Sequence, residues 1–65
     1  MIKLTRLNNA LIVLNSEMIE FIEAIPDTII TLTNGQKIMV RESVEEVIEK
    51  VKEYKRSLLF KPFLE

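Results

Sequence analysis

The sequence predicts an α+β domain: a small antiparallel sheet or partly open barrel of four to five strands, followed by one C-terminal helix. Three observations carry that expectation. Two runs rich in β-branched residues flank Asn34-Gly35, the strongest short-range hairpin signal a sequence offers. Earlier in the chain, short runs alternate or stay continuously apolar between Asn-rich turns. After Arg41-Glu42, Ser43-Val-Glu-Glu46 forms a capping box ahead of apolar residues at helical spacing.

The first strand is expected over about 2–7. Ile2, Leu4 and Arg6 fall on one side, with Lys3, Thr5 and Leu7 on the other. Asn8-Asn9 then reads as a turn, because Asn tolerates the left-handed conformation almost as well as Gly. Ala10-Leu-Ile-Val-Leu14 is continuously apolar, so a second strand over 10–14 should be buried on both faces or covered by a partner. Asn15-Ser16 closes it.

Glu17 to Ile25 reads two ways. As a helix, Asn15 caps it and Met18, Ile22 and Ile25 make a stripe. As a strand over about 18–25, Ile19, Phe21, Glu23 and Ile25 share one face, and Met18, Glu20, Ile22 and Ala24 share the other. Its shortness, and the Pro26-Asp27 turn that follows at once, favour the strand.

The stretch from Ile25 to Glu42 organises the rest, with strands over about 28–33 and 36–41. Gly35 is the only glycine, placed where positive φ is needed. A strict two-residue loop would set Lys37 beside Leu32. A three-residue loop, Thr33-Asn34-Gly35, instead pairs Leu32 with Gln36, Ile30 with Ile38 and Thr28 with Val40. That register gathers Ile30, Leu32, Ile38 and Val40 on one face and sends Thr31, Lys37 and Arg41 to the other. A slip of one residue would reverse every face, so the bulged hairpin is favoured.

The helix is expected over about 43–59. Val44, Val47, Ile48, Val51, Tyr54, Leu58 and Leu59 lie on one face, with Glu45, Glu46 and Glu49 in the first turns. Lys50, Lys52, Lys55 and Arg56 are assigned to the last turns, matching the macrodipole. The pair Glu46–Lys50 has the spacing for an i,i+4 contact. Pro62 stops the helix, leaving an apolar tail over 60–65.

Composition bounds the rest. Sixty-five residues make one domain, which buries only about 60% of its unfolded surface. There is no Cys and no His, so disulfides and the usual zinc sites are excluded. Yet 48% of the residues are hydrophobic, so either the core is unusually efficient or part of the apolar surface is buried in a homo-oligomer or against an obligate partner, and the second is favoured. Leu11, Val13, Leu59, Phe60, Phe63 and Leu64 are the candidate contact residues. The tail's cover is either its own core or another chain, and a second copy is favoured. A net charge of −1 argues against nucleic acid. No apolar run approaches the roughly twenty residues that span a bilayer, so a soluble chain is expected.

Little chemistry is on offer. Glu17, Glu20 and Glu23 have neither strand-face nor loop-cage spacing for a hard metal, and read as a solvated edge. Arg6 and Arg41 would converge on an anion, RNA included, if the first and fifth strands are neighbours. No cofactor and no catalytic residue is expected; the chain reads as a non-enzyme.

Three stretches resemble a known family. Met1-Ile-Lys-Leu-Thr-Arg-Leu-Asn8, Pro26-Asp-Thr-Ile-Ile-Thr-Leu-Thr-Asn-Gly35 and Val40-Arg-Glu-Ser-Val-Glu-Glu-Val47 look like the small bacterial flagellar proteins of the FlbD and SwrD type, over residues 1 to 55. Asn9 departs from the pattern, which commonly has Gly there. The resemblance implies a cytoplasmic accessory of flagellar and swarming motility, at the cytoplasmic face of the motor, supporting motor power through the stators. It brings no catalytic residues. A shorter likeness, Leu4-Thr-Arg6 and Val40-Arg-Glu42, is to the CsrA carbon-storage regulators, and implies the alternative of a small RNA-binding post-transcriptional regulator.

Overall fold

The computed structural model describes residues 1–60, and the side chains of residues 1–58. Five antiparallel strands precede one helix: β1 Ile2–Thr5, β2 Leu11–Leu14, β3 Ile19–Ala24, β4 Thr28–Leu32, β5 Lys37–Val40 and α1 Val44–Phe60. The strands form two small sheets, β1-β2 and β3-β4-β5, rather than one. A single antiparallel bridge between Arg6 and Val40 joins them, reinforced by the Arg41 amide donating to the Thr5 carbonyl at 2.8 Å. The order in space is therefore β2-β1-β5-β4-β3, with β2 and β3 at the edges.

The β4–β5 hairpin has the bulged register. Thr28 opposes Val40, Ile30 opposes Ile38, and the Leu32 amide donates to the Gln36 carbonyl at 2.8 Å. Gly35 has φ +90°, the conformation for which it is chosen. Ile30, Leu32 and Val40 are buried and Ile38 packs against them. Thr31 does face the opposite side with Lys37, but it is buried, because Phe21 and Lys37 flank it in the cross-strand row. Pro26 enters the β3–β4 turn through a cis peptide bond with Ile25.

The 17–25 segment divides. Asn15 caps only a single 3-10 turn, Ser16–Met18, its Oδ1 accepting from the Glu17 amide at 3.0 Å. The chain then runs as strand. Simple alternation fails in it, because Ile19 pairs with Leu32 and Phe21 with Thr31, leaving Glu20 as a bulge. The bulge turns Ile19 to the core beside Ile22, on the face opposite Phe21, and Phe21 is exposed.

Ser43 caps α1 as the pattern requires. Its Oγ accepts from the Glu46 amide at 3.1 Å, and the Glu46 carboxylate accepts from the Ser43 amide at 2.8 Å. Glu46 is thus turned back to the cap rather than forward to Lys50. The ion pair found on the helix is Arg56–Glu53. Since α1 continues to Phe60, its last turn holds no base, and Lys50 to Arg56 occupy its middle turns. The helix packs on β1 and β3 through Val47, which is fully buried, with Val51 and Tyr54 beside it. Ile48 and Leu58, assigned to the apolar stripe, are exposed. Ile2, Leu4 and Leu14 complete the core.

Among the described residues, β2 is not buried on both faces. Leu14 is buried and Ile12 half-buried, but Leu11 and Val13 are 65% and 60% exposed. Phe63 and Leu64 lie outside the described residues, as do the side chains of Leu59 and Phe60.

Candidate functional site

The β1–β2 turn is held rigidly. Asn9 adopts φ +71°, the Asn8 side chain accepts from the Ala10 amide at 3.0 Å, and the Arg6 amide donates to the Ala10 carbonyl at 2.8 Å. Two longer-range contacts then fasten the turn to the segment that follows β5. The Arg41 guanidinium donates to the Leu7 carbonyl at 2.7 Å. Just before the turn, the Thr5 amide donates to both Glu42 carboxylate oxygens, at 2.9 and 3.1 Å, and the Thr5 hydroxyl to one of them at 2.9 Å.

Between this turn and the outer face of β4 and β5 lies a groove of about 440 Å³, lined by Arg6, Leu7, Asn8, Ile29, Lys37 and Met39. Its floor and walls are apolar, from Ile29, Met39 and Leu7. Among the described residues, both charged groups that line it are cations and no acid does. Phe21 lies on the adjacent strand β3, on the same face and one row along from Ile29. Such a surface recognises apolar groups accompanied by negative charge.

The structure brings Arg6 and Arg41 to adjacent positions of the β1–β5 seam, as their convergence requires. It does not put both into one anion site, because Arg41 is engaged by the Leu7 carbonyl and does not line the groove. Lys37 takes that place opposite Arg6. Sequence reasoning placed Lys37 on the outer face of the hairpin without connecting it to the first turn, since only the β1–β5 bridge brings them together. Glu42 was missed altogether. Burial works to raise its pKa, but hydrogen bonds from the Thr5 amide, its own amide and the Thr5 hydroxyl, with the nearby Lys50 charge, hold it below its ordinary value.

A larger open groove of about 670 Å³ runs between β1 and α1, lined by Lys3, Lys50 and Tyr54 together with Glu46, Glu49 and Glu53. Its charges largely offset one another and Glu46 is already engaged in the cap, so it presents no comparable preference. Glu17, Glu20 and Glu23 sit respectively in the 3-10 turn, at the bulge and on the outer face of β3. No group of three or more potential metal ligands occurs among the described residues.

The fold and this groove define a small α+β domain whose distinctive surface is an apolar floor with basic margins, fixed at the seam of two sheets. The chain belongs to the FlbD family of flagellar and swarming motility proteins, whose pattern matches residues 1–59. Comparison with curated proteins and with solved structures gives no match. The alternative of an RNA regulator of the CsrA type finds no support: the matched family is one of motility, and Arg41, one of its two required arginines, is bound to the chain's own backbone. No helix among the described residues is long and apolar enough to cross a membrane.

Proposed function

We propose that the chain supports flagellar motor power by protein contact rather than by chemistry, at the cytoplasmic face of the motor, with an acidic, apolar segment of a stator component seated in the Arg6–Lys37 groove. The observation that carries this reading is the groove itself: an apolar floor of Ile29 and Met39, margined by cations only, on a turn fastened by three separate long-range contacts. A pre-organised surface of this kind loses little entropy on binding. Membership of a motility family supplies the setting. The absence of His and Cys leaves few groups suited to acid–base or nucleophilic work, which favours contact over catalysis.

Deletion of the gene tests the reading, with filament number and rotational torque under load measured on the same cells. Full filament numbers with weakened rotation are expected. Loss of filaments would move the role to assembly and contradict it.

A further inference from the structure

The two edges of the strand array are unlike. β3 carries Glu20 and Glu23 and is interrupted by the bulge at Glu20, both devices that keep a foreign strand from pairing. β2 has neither: Leu11-Ile-Val-Leu14 is regular, uncharged and free of proline, and β1 is its only strand partner among the described residues. Its outer face exposes Leu11 and Val13, 65% and 60% accessible, beside Thr5 and Lys3 of β1. Ile12 on the inner face is half-buried and packs against the core from its margin.

We propose that β2 pairs antiparallel with β2 of a second copy about a two-fold axis at Ile12, so that the array continues through both chains. An open ladder of amides and carbonyls calls for another strand, and an uncharged strand meets its own copy without repulsion. Side-chain alternation then restricts the register. Directly opposed residues share a face, so the axis passes through a residue pair rather than between two. Centring on Val13 would set Leu11 against Asn15. Centring on Ile12 sets Leu11 of each chain against Val13 of the other, closing the four exposed side chains into one patch. On the inner face it brings the two half-buried Ile12 side chains together, joining both cores across the axis. Lys3 of each chain then stands at opposite ends of the patch, where the two amines do not meet. This pairing uses a different surface from the Arg6–Lys37 groove and does not depend on the stator reading.

The test is the mass of the full chain by light scattering, with two variants. The wild type is expected at twice its 7.6 kDa at micromolar concentrations and above. V13K, which places a charge beside the axis at an exposed position, is expected to return it to the single-chain mass. In I12C, the only cysteine in the chain lies opposite its own copy at the roughly 4.5–5.5 Å of an opposed antiparallel pair, within disulfide range. It is expected to cross-link under mild oxidation, whereas N34C at the far hairpin tip does not. A wild type of single-chain mass overturns the proposal. So does a V13K variant that stays dimeric, or equal cross-linking of I12C and N34C.

Discussion

The amide and the hydroxyl of Thr5 both donate to the carboxylate of Glu42, a residue thirty-seven positions away. This contact ties the end of β1 to the junction between β5 and α1, alongside the bond from the Arg41 amide to the Thr5 carbonyl. It also sets the wall of the groove, because Arg6 and Leu7 follow Thr5 directly.

Replacing Glu42 by Gln is therefore expected to cost about 1–2 kcal/mol at neutral pH, the scale of hydrogen bonds to a charged group that still sees solvent. Hydrogen bonding and Lys50 hold the folded carboxyl below its ordinary value. Its contribution is thus fully present above the ordinary glutamate range and is lost as pH falls through the folded value. Urea unfolding at neutral and acid pH should show the gap between wild type and E42Q closing on acidification. A gap independent of pH would mean that the charge contributes nothing.

The capping box makes a local prediction. Ser43→Ala removes the acceptor for the Glu46 amide and should lower stability by about 1 kcal/mol. An unchanged melting curve would show the hydroxyl to be dispensable.

Asn9 holds φ +71°, a conformation that costs an ordinary L-residue about 1–2 kcal/mol. N9A should be destabilised by about that amount, whereas N9G should not. Equal melting temperatures for the two variants would contradict this account of the turn.

Ser16 buries its hydroxyl without a hydrogen-bond partner among the described residues. Ser16→Ala should leave stability unchanged or raise it by up to about 1 kcal/mol, since an unpaired buried hydroxyl is a cost to folding. A clear fall in stability by denaturant titration would reveal a partner for it.

What was legible in the sequence was what neighbouring residues decide. Gly35 and the β-branched runs specify the bulged hairpin and its register, and Ser43 with Glu46 specifies the helix start, because each signal is complete within a few residues. The bulge at Glu20 was not legible: strict alternation puts Ile19 on the wrong face, and only pairing with Leu32 and Thr31 reveals the extra residue. Glu42 read as a polar residue before a helix, since its partner Thr5 belongs to the other sheet. Arg6 was identified but Lys37 was not, for the same reason: the groove exists only where the Arg6–Val40 bridge brings the sheets together.

The role of the groove is tested most directly by the torque of motors in cells whose only copy of the chain carries R6E and K37E together. Both positions are exposed, so folding and abundance should match the wild type, checked by melting curve and immunoblot. Reversing the two charges turns the basic margin into one that repels an acidic partner. Torque under load should fall to the level of the gene deletion, with filament number unchanged. Wild-type torque from a folded, normally abundant R6E/K37E chain would contradict the account.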